Sequence, residues 1–558
     1  MSQIPHLLAG GRGFAMALVA AGAVGEALAA GAAAFAARDI FRALHQGQVD
    51  IPVWPLVVML VAGVSIAALR VAARSTGEWI GQGFAIALRR EILVHVSLMP
   101  GGAVALRRQG ALAIRFVGDL AAARNWSGLG VARLVSAAIV VPGAGIALYL
   151  LHPSLALAAA VPLSLTMAAM VIVGARIVPL HRDLRRKRAN LAIDMMERVP
   201  VAPELRLMGR DRSEVRNLVQ RGEELRDSGT RRVFWSECLR KLPDIGVCAA
   251  GAGVLATAFS VNASPATAAG SLAMLAILAQ PLRNLARIWD YHSAWKIARL
   301  KCEQLLAMPT LPRQPSVATE PSTGPGRLVF SGVTHSVLRN LSVEAEPGMK
   351  IAIIGPNGAG KSTCLALAAG LEQPMDGRVE LDGAEVSTLA GKVRRQRIVY
   401  VGPNSPILQG SLRRALTLGI RPRPGDEHIV HAAEAFGLSA VMNRLGGLGG
   451  RIAEAGRNLS TGEARRVHLV RAMLGRPDLL LLDAVDDGLD DVALAALARL
   501  VGQTRATTLL VSNNSLLVRQ CDAVWSLAGG LLEDGDERGK LPIDHPDIAA
   551  SSRLRHVA

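Results

Sequence analysis

Residues Gly355–Thr363 read GPNGAGKST, which fits the phosphate-binding pattern GxxxxGK[ST] at every fixed position. Lys350–Ile354 before it reads as a buried strand, and a helix begins inside the Gly-rich loop. Strand, loop and helix in that order are the context a phosphate loop requires. In that context the backbone N–H groups from Asn357 to Ser362 cradle a β-phosphate at the positive end of the helix. The glycines let the backbone approach where a Cβ would collide. Lys361 is placed to pair with the β- and γ-phosphates and Ser362 to hold Mg²⁺. The candidate nucleotide-binding set is therefore Gly355, Pro356, Asn357, Gly358, Ala359, Gly360, Lys361, Ser362 and Thr363, with ATP and Mg²⁺ as the expected ligands.

Further along, Leu479–Asp490 reads LLLLDAVDDGLD. Leu479–Leu482 reads as a buried strand ending in Asp483, whose carboxylate is the second candidate Mg²⁺ group, acting through water. An ATPase of this kind usually carries a glutamate directly after that aspartate, and here the position holds Ala484. The site is thus expected to hold ATP, and its ability to turn ATP over unaided is the open question.

The surrounding chain sets the architecture. At 558 residues it exceeds one core, so at least two domains are expected. It is 51% hydrophobic with only 3% aromatic residues, and its mean hydropathy is +0.32, which points to membrane spans. Six apolar runs lie in the first half: Phe14–Ala37, Val53–Leu69, Leu129–Leu151, Leu155–Val178, Ile245–Val261 and Ala266–Leu282, the last interrupted near its end by Gln280-Pro281 and Arg283. Each approaches the ~20 apolar residues that cross hydrocarbon as a helix. Tight turns at His152-Pro153-Ser154 and Asn262–Pro265 carry no formal charge, whereas the connectors Arg70–Gly128 and Arg176–Lys241 are rich in Arg. The positive-inside rule places those connectors and both termini in the cytoplasm. It also accounts for the net charge of +17 without nucleic acid, which is not an expected partner. Five scattered cysteines make no CxxC pair, so neither a metal site nor a disulfide framework is expected. The start MSQIPHLLAGGRG lacks the order of a signal peptide. The expected domains are 1–308, transmembrane with cytoplasmic helical extensions; 309–326, a Pro-rich linker; 327–535, a nucleotide-binding domain; and 536–558, a polar tail.

Between the two nucleotide motifs lies Asn458–Arg466, NLSTGEARR. The order of phosphate loop, LSTGE with a helix behind it, strand with aspartate, and GLD resembles the ATP-binding cassette of ABC transporters. LSTGE is similar to the family signature LSGGQ, with Thr461 for the first glycine and Glu463 for the glutamine. Six spans ahead of one cassette resemble an exporter half-transporter. Arg108–Asp119, RQGALAIRFVGD, is similar to the family's coupling segment, with Pro203–Gly209, PELRLMG, as a weaker counterpart. The resemblance implies a multidomain membrane protein, an all-α six-helix transmembrane domain followed by an α/β P-loop NTPase (ABC) domain. It implies two cassettes meeting head to tail, so that Ser460 and Gly462 contact the ATP held by a partner. The expected location is the bacterial inner (plasma) membrane with the ATP-binding domain in the cytoplasm, in contact with membrane lipid.

Four positions depart from the family. Ala484 replaces the glutamate that polarises the attacking water. Counting back from Gly410, Pro403 replaces the glutamine that contacts Mg²⁺ and the membrane domain. Asn513 replaces the histidine at the γ-phosphate. Gly332–Val337 lacks the aromatic that stacks on adenine, with His335 the nearest candidate. No intact catalytic residue is therefore expected, and Asp486 and Asp487 should already lie in the following loop. Two functions fit. The first is a half-transporter paired with a second ABC half-transporter, as a heterodimer rather than a homodimer, whose own site supplies most turnover and moves an unknown transported substrate outward. The second is a non-hydrolysing, nucleotide-gated membrane regulator or sensor. Outside the cassette, Glu26 sits inside the first span, where a carboxylate is costly and often functional. Arg70 and Arg74 are expected to snorkel to headgroups, and Trp289, Tyr291 and Trp295 read as interfacial or packing aromatics.

Overall fold

The computed structural model describes residues 4–47, 50–105, 118–311, 326–403 and 405–532. It divides into two compact units, Met1–Ser97 with Arg107–Met308 and Leu98–Leu106 with Pro309–Ala558. Leu98–Leu106 thus groups with the second unit although it lies in the first by sequence. Residues 312–325 of the linker, the whole tail 536–558, and residues 108–117 of the first coupling segment fall outside the described residues.

Among the described residues, six long helices build the first unit, each long and apolar enough to cross a membrane: α1 (Arg12–His45), α2 (Val53–Ser97), α3 (Leu120–Leu151), α4 (Pro153–Arg198), α5 (Asp211–Ser260) and α6 (Pro265–Leu306). The longest has 50 residues, about 75 Å at 1.5 Å per residue, which far exceeds a ~30 Å hydrocarbon core. The two tight turns start their helices as the sequence suggests. Extended His152 hands over to Pro153 at the first helical position, and Ser264 caps α6 by accepting from the Thr267 N–H at 3.2 Å. Gln280-Pro281 does not end the sixth span: Pro281 is buried inside an unbroken α6. One missing N–H is outweighed by packing of α6 on α1, α3 and α5, and apolar surroundings favour keeping every other backbone bond.

Small residues set helix approach. A Cβ on Gly128, in a π-helical turn within α3, would run into the Gly77 carbonyl of α2, so this crossing tolerates only glycine there. Toward the Arg-rich ends, Asp290 of α6 accepts from His181 of α4 at 3.0 Å and from Arg240 of α5 at 2.9 Å, tying three helices together. The expected second coupling segment forms a short helix, Ala202–Leu207, with Leu207 and Met208 exposed. Arg70, expected at the headgroups, donates its Nε to Glu26 Oε1 of the neighbouring helix at 2.7 Å, a charge-assisted contact with a buried carboxylate.

The second unit is built on sheets. A four-stranded antiparallel sheet has the order β2-β1-β4-β5, from Leu328–His335 (β1), Leu338–Ala345 (β2), Asp376–Leu381 (β4) and Ala384–Glu385 (β5). A six-stranded sheet has the order β12-β11-β3-β10-β9-β6, from Lys350–Ile354 (β3), Ile398–Val401 (β6), Leu479–Asp483 (β9), Thr507–Val511 (β10), Ala523–Ala528 (β11) and Leu531–Leu532 (β12). Gly410–Ser411 (β7) and Arg451–Ile452 (β8) make a separate pair. All neighbours in the six-stranded sheet run parallel except β11 and β12. β9 is buried at every residue, as its unbroken apolar run requires of a strand covered on both faces. The helices used below are α7 (Lys361–Ala368), α8 (Thr461–Gly475) and α9 (Asp491–Gln503).

Candidate functional site

Parallel strands bring their carboxyl ends to one edge, where ligands of such sheets bind. The loop Gly355–Gly360 leaves β3 at that edge and enters α7. Gly355 has φ 138°, and a Cβ there would collide with the Leu527 carbonyl of β11, so the exit from the strand requires glycine. Lys361 Nζ donates to the carbonyls of Gly355 and Pro356 at 2.5 and 2.8 Å, folding the ammonium over the loop. Burial holds that ammonium below its ordinary pKa, with Asp483 acting in the opposite sense.

Asp483 ends β9, two strands away from β3. Ser362 Oγ donates to its Oδ1 at 3.0 Å, joining residues 121 apart in sequence. The Tyr400 hydroxyl donates to Oδ2 at 3.1 Å from β6, the strand beside β9. Burial, then the Asp483 charge, drives the Tyr400 pKa upward, so the phenol stays a donor. Sequence reading missed Tyr400. Its only signal was a polar-tipped aromatic at the end of a strand whose neighbour ends in aspartate. Gly402 is explained by the same side chain, since a Cβ at Gly402 would strike the Tyr400 hydroxyl. Ser362, Thr363, Tyr400, Pro403 and Asp483, with His335, line one cavity of about 860 Å³. Hard oxygens from Ser362 and Asp483 at the cradle of a phosphate loop suit Mg²⁺.

Pro403 and His335 line that cavity, and Ala484 adjoins Asp483. Ala484 follows Asp483 with φ 48°, in the left-handed region, and its N–H is held by the Val511 carbonyl at 3.1 Å. That bond joins the end of β9 to the end of β10, where half-buried Asn513 lies. Asp486 is buried and accepts from Ser512 Oγ at 2.9 Å. Asp487 is exposed in the loop. His335 ends β1, opposite Leu338 across a two-residue turn, with Nε2 3.8 Å from Glu372.

Ser460 and Gly462 do not line the cavity beside Ser362. Ser460 caps α8 and is exposed, and a Cβ on Gly462 would press on the Gly488 carbonyl of the loop after β9. Glu463, in the place of the signature glutamine, closes a capping box: it accepts from the Ser460 N–H at 2.8 Å and pairs with Arg444 at 2.8 Å. These contacts hold its carboxyl below the usual range against the burial that raises it. Asp490 in turn caps α9 and pairs with Arg466 of α8.

This geometry has known counterparts. The model of the ABC transporter transmembrane region matches residues 24–278, and that of the ABC transporter matches residues 338–485. The chain belongs to the ABC transporter family. One membrane region and one cassette in a single chain is the half-transporter arrangement of that family. The ABC transporter is 31% identical over 283 residues to the mycobactin import ATP-binding/permease protein IrtB of Mycolicibacterium smegmatis, which covers 49% of each chain. It is 27% identical over 449 residues to antigen peptide transporter 2 of Mus musculus, covering 77% of this chain and 63% of that one. The chain therefore spans about half the length of the first of these relatives and under two thirds of the second. A bacterial Atm1-family ABC exporter with ATP bound shares its fold, with a TM-score of 0.80 over 98% of both chains at 19% identity.

Proposed function

We propose that this ABC transporter is a half-transporter subunit whose own phosphate-loop site holds ATP without efficient turnover, and whose Ser460 and Gly462 complete a competent site on a partner cassette. The observation that carries the reading is Ala484, fixed at the end of β9 beside an intact Ser362–Asp483 pair. Groups that hold the nucleotide are present, and side chains that act on the γ-phosphate and its water are replaced.

In this reading Gly355–Thr363 wrap the phosphates, and Lys361 exchanges its two loop carbonyls for phosphate oxygens. Ser362 and Asp483 hold Mg²⁺, with Tyr400 keeping the aspartate in place. When bound, the ion neutralises the charge of the phosphates. Ala484 offers no oxygen to orient water, and phosphoryl transfer to water depends on such positioning. Exposed Ser460 at the positive end of α8 is set to meet a second nucleotide across a cassette interface. ATP-driven closure of two cassettes then moves the six spans between inward- and outward-facing states, with export as the direction. The printed roles of the relatives, mycobactin import and antigen peptide transport, differ from one another, so no substrate class follows from them.

The test is purification of the full chain alone and with its partner, followed by ATP binding and ATPase measurements on each. The expected result is binding by both samples and turnover only in the pair. Ordinary turnover by the chain alone refutes the reading. Binding without any partner or transport makes the protein a nucleotide-gated regulator instead. A neighbouring coding sequence for a second half-transporter with an intact glutamate would supply the partner to use.

A further inference from the structure

A cavity of about 200 Å³ lies within the helical unit, lined by Glu26 of α1, Arg70 and Arg74 of α2, Arg133 of α3, and Gln280 and Arg287 of α6 among others. Its lining thus holds four arginines and one carboxylate, with Arg70 and Arg133 half-buried and Arg74 and Arg287 exposed. Glu26 sits midway along the first apolar run and is buried, and Arg70 Nε donates to it at 2.7 Å. Arg70 Nη2 is buried with no acceptor among the described residues. Arg133 is turned inward as well, donating to the Tyr291 hydroxyl at 3.2 Å with its guanidinium 5.4 Å from the ring centre. Among the described residues, Arg74, Arg133 and Arg287 have no ion-pair partner.

Arginine does not shed its proton to relieve crowding. Like charges gathered around one buried carboxylate between membrane helices repel, so such a cluster is a functional feature by default. Simple snorkelling does not account for it. Arg70 is bound to a buried carboxylate, and Arg133 is held on Tyr291. We propose that this cavity binds the acid group of an organic anion, a carboxylate, sulfonate or phosphate on a small carbon frame. Glu26 acts as the internal counter-ion that occupies Arg70 until the ligand arrives. Guanidinium forks suit such oxygens, and Gln280 adds a neutral polar contact. The volume admits an acid group with a short frame rather than a drug-sized body. Passage of that anion across the membrane rests on the transporter reading above, whereas its binding does not.

The experiment uses the full chain in nanodiscs of neutral phosphatidylcholine, without nucleotide. The probe is naphthalene disulfonate, a rigid fluorescent dianion, compared with the matching uncharged bis-sulfonamide by equilibrium binding. The dianion should bind at least about tenfold more tightly, and Arg133→Gln and Arg287→Gln should each weaken it about tenfold, the scale of one lost charge-assisted contact. Glu26→Gln should tighten it, because Arg70 is released, and a misfolded variant cannot mimic a gain. Retained binding of labelled ATP reports that each variant is folded. Equal binding of the two probes, or unchanged affinity in the Arg133→Gln/Arg287→Gln double variant, overturns the inference. Discs containing phosphatidylglycerol separate the sources of the anion. Competition by that lipid assigns the site to a headgroup, indifference assigns it to a soluble anion, and both keep the site. Loss of ATP-driven transport with probe binding intact overturns the transporter reading alone. Loss of probe preference with transport intact overturns this inference alone.

Discussion

Restoring glutamate at Ala484 tests the central proposal, and the structure sets the expected size of the effect. Ala484 already occupies the left-handed region at φ 48°, a cost shared by any residue with a Cβ, so glutamate adds little new strain. The residue is half-buried, which leaves the longer side chain a way out, and the backbone stays tied to the Val511 carbonyl at 3.1 Å. Folding stability should therefore change by no more than about 0.5 kcal/mol. The kinetic effect is expected to be large but conditional. A positioned catalytic group contributes ~10²–10⁴ in rate, or about 2.7–5.4 kcal/mol of barrier. Groups that act as a unit are not additive, and Asn513 lies at the end of the strand that holds Ala484. Ala484→Glu alone should raise ATPase less than about tenfold, and Ala484→Glu with Asn513→His should reach ~10²–10⁴ over the starting chain. Steady-state phosphate release from the purified full chain with MgATP measures this. Turnover on the order of 1 s⁻¹ or more by the unaltered chain, or no response in the double variant while ATP still binds, refutes the reasoning.

Three further outcomes follow from the site. Ser362→Ala and Asp483→Asn should each cut the Mg²⁺-dependent gain in ATP affinity about tenfold while binding without Mg²⁺ persists, as measured with a fluorescent ATP analogue; equal losses with and without Mg²⁺ would exclude the assigned role. Tyr400→Phe keeps the ring and deletes only the hydroxyl that donates to Asp483 at 3.1 Å, so unfolding should register a loss of about 1–2 kcal/mol, and no loss would mean the contact is idle. His468 is buried in α8 with Arg471 beside it at 2.7 Å, and burial first, then that charge, pushes its pKa down to about 4. The unfolded imidazole titrates near 6.5 and so takes up protons first on acidification. The contribution of His468 should be fully present above about pH 6.5 and be lost between 6.5 and about 4, on the order of 3 kcal/mol, and His468→Leu should flatten that part of a stability-versus-pH curve.

Much of this protein was legible where the signal is local. A phosphate loop is a run of nine residues whose backbone does the work, so GPNGAGKST identifies itself without any partner. Six apolar runs declare membrane helices because hydrocarbon demands an unbroken length. Ala484, Pro403 and Asn513 were raised by the sequence alone, since each has a fixed offset from a local motif. Pro281 misleads in sequence: proline looks disruptive in isolation, yet helix packing holds α6 intact.

Contacts between distant segments had no such signal. Ser362 meets Asp483 across 121 residues and Tyr400 meets it across 83, through strand order that no spacing encodes. Arg70 reads as a headgroup anchor until α1 lays Glu26 beside it, 44 residues away, and only packing of α1, α2, α3 and α6 gathers four arginines around one cavity. By itself, then, the sequence determined which chemical groups the chain carries and which elements hold them, because motif and hydrophobic period are properties of neighbouring residues. Tertiary structure alone decided which of those groups share a site, because a side chain finds its partner only after burial of apolar faces has chosen the neighbours of its strand or helix.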